Sequence, residues 1–192
     1  MKKFYFVLLC AISGFILLAP LNTDAQRRDY MTDAESELVR EAQQIDLRIE
    51  VLVKMIDRRF AVLNGTPLKP EKKPELWGEP PTGTRIELLS DISKLLQKAV
   101  DDIDDVAAHN RMDEKFFPKA MRHLSAAAAQ YQPQIKAVYD RTPDEKEKGL
   151  LMSASEFCAQ IIEASAKVPK EAPKESKESK ENKKKKSKND TE

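Results

Sequence analysis

The chain has 192 residues, enough for one ordinary domain with a tail at either end. Charged residues make up 34% and aromatic residues 6%, with only 5 glycines, a composition that favours an all-helical protein over a β-sandwich or barrel. The formal net charge is +1, and basic and acidic residues are interspersed, which argues against the strong basic field of a nucleic-acid-binding domain.

The N-terminus has the pattern of a secretory signal peptide, which we predict to span residues 1–25 and to be cleaved after Ala25. Two lysines near the start are followed by residues 4–19, which are almost entirely apolar. An uncleaved membrane anchor formed by residues 4–19 stays the alternative, although that run is slightly short for a membrane span. We therefore expect an exported protein, periplasmic or secreted, in which residues 26–31 lead into the folded domain.

The longest predicted helix covers residues 33–63 and starts at a capping box, because Thr32 is followed three residues later by Glu35. Apolar residues recur through it at steps of three and four, the pattern of an amphipathic helix. They are Leu38, Ala42, Ile45, Ile49, Leu52, Ile56, Phe60 and Leu63. The charged residues between them, Asp46 and Arg58 included, are expected to face solvent. Such a helix needs partners, and an overhanging apolar end would favour a homodimer through it.

Residues 64–83 are predicted to form a long loop between the first and second helices, because they contain five prolines and three glycines. Leu76 and the only tryptophan, Trp77, lie within this loop. The two side chains either cover an open end of the helical core or form an exposed contact for a partner protein or a glycan. We take Leu76 and Trp77 as a candidate interaction site.

Three further amphipathic helices are predicted, over residues 85–109, 114–140 and 143–167. The first and the last begin with capping residues, and the last also has a proline at its expected first position. Pro133 is expected to kink the middle helix. Four helices joined by two short connections and one long one predict an all-α fold, an antiparallel up-down four-helix bundle over residues 32–168 with packing like that of a coiled coil.

Residues 169–192 repeat lysine, glutamate and serine and contain no large apolar side chain, so we predict a disordered tail. A lysine cluster near its end is a candidate contact for an anionic envelope surface, and salt should weaken any such contact. The cluster consists of Lys183, Lys184, Lys185, Lys186 and Lys188.

Few residues suggest a metal, haem or catalytic site. Asp101, Asp105 and His109 are spaced four apart and share one helix face, which makes them candidate metal ligands, but a solvated acidic face is the simpler explanation. The Glu-x-x-His spacing of di-metal bundle sites and the Cys-x-x-Cys-His motif of covalent haem are absent from the sequence. Cys158 is the single cysteine left after signal cleavage, and its surroundings contain no recognisable catalytic motif.

These patterns predict an exported, non-enzymatic helical-bundle protein that acts through protein–protein or envelope-surface contacts. We expect no cofactor and no specific nucleic-acid target. The alternative is a periplasmic carrier of a metal or a small haem-like ligand, built on the same helices. A colourless, metal-free native preparation would argue against the carrier.

Overall fold

The computed structural model describes residues 28–70, 73–109 and 116–168. Within these ranges the protein is all-helical, as predicted, with five α-helices and no strand. The helices are α1 (Asp33–Glu41), α2 (Ile45–Asn64), α3 (Arg85–Ala108), α4 (Phe116–Tyr139) and α5 (Glu145–Ala166), with one 3₁₀ turn at Pro74–Leu76. None of the described helices combines the length and the hydropathy needed to cross a membrane. The predicted signal peptide and tail lie outside the described residues.

The capping residues explain where the helices begin. The capping box at the start of α1 is confirmed, since the Thr32 hydroxyl accepts from the Glu35 amide and the Glu35 carboxylate accepts from the Thr32 amide. A second box starts α3 in the same way. Helix α5 begins at Glu145, two residues later than predicted, because the Asp144 carboxylate accepts from two amides of the first turn and so acts as the cap. Pro133 lies inside α4 and does not end it.

The prediction of one helix over residues 33–63 is wrong, because the chain reverses between α1 and α2. Ala42 has φ −76° and ψ 78°, and the Gln43 amide donates to the Glu41 carbonyl at 2.9 Å. These values define an inverse γ-turn, which any L-residue can adopt. The Gln43 side chain donates to the Arg40 carbonyl at 2.6 Å, and Arg48 Nε donates to the Ala42 carbonyl at 3.0 Å. Side chains thus satisfy two carbonyls that the end of α1 leaves without helical partners.

The four longer helices each pack against two neighbours. Helix α2 contacts α3 and α4, α5 contacts the same two helices, and α3 barely touches α4. The ion pairs give the relative direction of α2 and α3, because Arg48 lies 3.8 Å from Asp102 while Arg59 lies 3.7 Å from Asp91. As the residue number rises along α2 it falls along α3, so these two helices are antiparallel.

Helices α2 and α4 run in the same direction. Lys119 Nζ lies 2.6 Å from Asp46 near the start of both helices. Further along, the Tyr131 hydroxyl donates to Asp57 at 2.8 Å. The residue numbers rise together, so the neighbours α2 and α4 are parallel.

The core is formed by apolar side chains from all four longer helices. The predicted apolar face of α2 is confirmed from Ile49 to Phe60, since the apolar residues predicted to form it are at most 4% exposed there. Small residues on α4 allow close approach of its neighbours. The fully buried members of the core are Ile49, Leu52, Met55, Ile56, Leu95, Leu96, Ala99, Ala120, Ala128 and Cys158.

A matched pair of truncations tests this core. Leu96 is 0% exposed, so Leu96→Ala should lower the free energy of unfolding by about 2–5 kcal/mol through lost burial and a cavity. Met152 is 52% exposed, and Met152→Ala should change the free energy of unfolding by less than about 0.5 kcal/mol. Urea titrations followed by Trp77 fluorescence measure both. Equal losses in the two variants would contradict the assignment of the core.

Candidate functional site

Helix α1 is held against α2 by a buried ion pair. The Glu35 carboxylate is 0% exposed, and both of its oxygens accept hydrogen bonds of 2.6 Å from the Arg59 guanidinium. Arg59 also donates to the carbonyls of Tyr30 at 2.7 Å and Met55 at 3.2 Å. A bidentate pair with further hydrogen bonds is the geometry that can offset the desolvation of two charges.

A second carboxylate links the same arginine to α3. Asp91 accepts from the two terminal nitrogens of Arg28 at 3.0 and 2.9 Å, and Arg59 Nε lies 3.7 Å away. Burial raises the pKa of Asp91, and the hydrogen bonds and charge of Arg28 oppose that rise. We call Arg28, Glu35, Arg58, Arg59 and Asp91 the ionic cluster.

Arg58 connects the ionic cluster to the segment between α2 and α3. Its guanidinium donates to the carbonyls of Trp77 at 3.2 Å and Glu79 at 2.9 Å, and its carbon lies 5.4 Å from the centre of the Trp77 ring. Its Nε lies 3.6 Å from Glu35. The expectation that Arg58 and Asp46 face solvent is therefore wrong: both are buried, because each has acquired a partner from another part of the chain.

The two candidate contact residues of the loop have different environments. Trp77 is 6% exposed and belongs to the core, whereas Leu76 is 44% exposed. They therefore do not form one exposed surface. An interaction through Leu76 stays a prediction, as does one through Lys183–Lys186 and Lys188, which lie outside the described residues.

A groove of about 620 Å³ lies between α2, α4 and the first residues after α2. Its lining mixes apolar, amide and charged side chains. The charged ones include two ion pairs, Lys69 with Asp57 at 2.9 Å and Lys54 with Glu50 at 3.8 Å. The other lining residues are Val53, Arg58, Phe60, Ala61, Asn64, Thr66, Pro67, Leu68, Pro70, His123, Gln130 and Gln134.

Asp57, in the wall of the groove, is fixed from behind by Tyr131. The Tyr131 hydroxyl lies 2.8 Å from the Asp57 carboxylate and 3.1 Å from the Val53 carbonyl. Burial and the neighbouring Asp57 raise the pKa of Tyr131, so its hydroxyl stays a neutral donor at every physiological pH. Asp57 is thereby held in one orientation towards Lys69.

The candidate metal ligands lie at the exposed end of α3. His109 Nδ1 lies 3.1 Å from an Asp105 carboxylate oxygen and 2.8 Å from the Asp105 carbonyl. Asp101, Asp105 and His109 are all exposed. In the part of the chain that the structure describes, no group of three or more His, Cys, Asp or Glu side chains has the geometry to hold a metal ion.

Cys158 lies in the centre of the core. It is 0% exposed, and burial raises the pKa of its thiol to about 12. The thiol is therefore protonated at neutral pH and inaccessible, which is the environment of an unreactive structural cysteine.

Sequence reasoning missed both the ionic cluster and the groove. The only local signal for the cluster was the adjacent pair Arg58-Arg59, which interrupts the apolar face of α2 beside Phe60. No protein-family model matches the sequence, and neither a curated protein nor a solved structure is detectably similar to the chain. The geometry of these two sites is therefore the basis for the proposals below.

The ion pair can be tested by a double-mutant cycle. Glu35→Gln or Arg59→Gln alone leaves the other charge buried and should lower the free energy of unfolding by about 3–5 kcal/mol. The double variant should lose clearly less than the sum of the two. Arg40→Gln removes an exposed pair with Glu37 and is the matched control, expected to unfold like the parent. Additive losses in denaturant titrations would show that Glu35 and Arg59 do not interact.

Proposed function

We propose that the protein is an exported, non-enzymatic helical protein that binds an extended segment of another protein in the groove between α2, α4 and residues 64–70. The groove itself is the observation that carries this proposal. Its volume of about 620 Å³ lies within the range of ligand pockets, and it is lined by side chains from three separate parts of the chain.

The polar lining of the groove suits a peptide backbone. Asn64, Gln130 and Gln134 line the groove with side-chain amides, which carry both N–H donors and an acceptor oxygen, the combination that pairs with the N–H and C=O groups of an extended chain. Gln134 already uses one N–H on the Gln130 carbonyl at 3.2 Å. The charged residues Lys69 and Asp57 are already paired with one another at 2.9 Å. A strongly charged ligand would have to break that pair, so a largely uncharged segment fits better.

The apolar lining of the groove offers contacts for the apolar side chains of the bound segment. Pro67, Leu68 and Pro70 line the groove from the chain that follows α2. Proline presents an apolar ring and no backbone N–H, so this wall offers contact area for apolar side chains. An extended segment with alternating apolar and backbone contacts would use both walls.

We also propose that α2 to α5 form an up-down four-helix bundle in which successive helices alternate in direction. The antiparallel pair α2 and α3 and the parallel pair α2 and α4 support it. So does the 2.9 Å pair between Arg85 and Glu147, which brings the starts of α3 and α5 together. In this arrangement the groove lies along a parallel helix pair.

Export and surface attachment rest on the sequence alone. Residues 1–25 carry the signal-peptide pattern, with retention of residues 4–19 as an anchor the alternative. Lys183–Lys186 and Lys188 are proposed as a second, electrostatic contact with an anionic envelope surface.

The size of the groove favours one alternative function, that of a small-ligand carrier. The groove is also large enough for a compact organic molecule, and His123 lines it together with Asp57. Such a carrier would hold its ligand in the groove, since the core positions between the helices are filled by apolar side chains.

Site-specific photocrosslinking in the native envelope tests the proposal. A photoreactive residue at Gln130, in the groove, should give a discrete protein adduct, identified by mass spectrometry. The same residue at Gln160, exposed on α5, is the matched control and should give none. No adduct at Gln130 above this control would overturn protein binding in the groove. A stoichiometric small molecule in native mass spectra would favour the carrier instead.

A further inference from the structure

Residues 66–70, which form one wall of the groove, run back along α2, and we call them the strap. The Thr66 amide donates to the Ala61 carbonyl at 2.9 Å, and Lys69 Nζ donates to the Asp57 carboxylate at 2.9 Å. As the residue number rises along the strap it falls along α2. The strap therefore follows α2 in the reverse direction and borders the groove along its length.

The chain on either side of the strap is fixed. Gly65 ends α2 in the left-handed conformation, with φ 63°, and its amide donates to the Val62 carbonyl at 3.1 Å. Further along, Trp77 is only 6% exposed, and its carbonyl accepts from Arg58 at 3.2 Å. These contacts hold the two ends of the connection between α2 and α3 on the helices.

The strap itself has few contacts of this kind. Pro67, Lys69 and Pro70 are exposed, and Leu68 is half-buried. Within the part of the chain that the structure describes, no hydrogen bond between backbone groups involves residues 67–70. A segment with little buried apolar surface and no backbone pairing opens at low cost in free energy, while the rest of the fold stays intact.

The ion pair between Lys69 and Asp57 joins the strap to α2. Its two members differ, because the Lys69 side chain is 79% exposed and the Asp57 side chain is 31% exposed. The second Asp57 oxygen accepts from the Tyr131 hydroxyl at 2.8 Å, so Asp57 stays in place when Lys69 leaves. An exposed ion pair changes an equilibrium by only about fivefold or less, so a small perturbation is enough to release the strap.

We propose that the strap is a gate of the groove, which the Lys69–Asp57 pair holds closed and whose release admits the extended segment. The inference rests on the proposed function, since it describes how the ligand enters the same groove. Pro67 and Pro70 restrict the backbone on either side of Leu68 and Lys69, so the strap moves as one short piece. An uncharged segment competes for neither charge, so Lys69 returns to Asp57 and closes the strap over it. Because salt screens an exposed pair, the groove opens as the ionic strength rises.

Distances across the groove test the gate in the full-length protein without any ligand. Spin labels at Pro70→Cys and Gln130→Cys lie on the strap and on α4, while the native Cys158 is buried and should not react. In this labelled background, Lys69→Gln should add a longer distance and raise the ratio of open to closed molecules about two- to fivefold, measured by pulsed electron paramagnetic resonance. Raising NaCl from about 20 mM to about 500 mM should shift the parent in the same way and leave Lys69→Gln unchanged.

Lys136→Gln is the matched control. Lys136 pairs with Asp140 at the same distance of 2.9 Å, both side chains are exposed, and neither residue lines the groove. Its distance distribution should equal that of the parent. The gate would be overturned by distances that change neither in Lys69→Gln nor at high salt, or by an equal change in Lys136→Gln. These distances decide the gate whether or not photocrosslinking at Gln130 finds a bound protein.

Discussion

The buried pair between Glu35 and Arg59 is the interaction on which the N-terminal half of the structure depends. It holds a nine-residue helix against α2 at a point where local sequence favours straight continuation. Burying two charges is costly, and here the cost is offset by two short hydrogen bonds between them and by backbone partners on both sides. Asp91 extends the same network to α3.

The ionic cluster and the groove share one residue, Arg58. Arg58 lines the groove and at the same time holds the carbonyls of Trp77 and Glu79. In the segment between α2 and α3, Arg58 thereby holds residues 77 and 79, close to the start of α3. Lys69, close to the end of α2, is paired with Asp57. The ion pair of Lys69 with Asp57 thus ties the wall formed by residues 66–70 to α2.

Features set by local chemistry were predictable from the sequence, and those set by distant partners were not. Helices α3, α4 and α5 follow from periodicity, and those of their ends that lie among the described residues differ from the predicted ones by at most two residues. The predicted start of α4 at residue 114 lies outside the described residues. The reversal at Ala42 gave no signal, because an inverse γ-turn needs no special residue and its stabilising ion pair spans 24 positions. Arg58 looked solvated for the same reason: its partners come from the loop 19 and 21 residues further on.

Helix α1 folds back on α2, and the distance between a residue on α1 and a residue at the end of α2 tests this fold-back most directly. Ser36→Cys and Asn64→Cys place spin labels at exposed positions on the two helices, while the native Cys158 is buried and should not react. In the monomeric fraction, pulsed electron paramagnetic resonance should give a separation below about 25 Å, because Ser36 adjoins the residue paired with Arg59. A separation near 42 Å, about the length of 28 residues of straight helix, would contradict the fold-back.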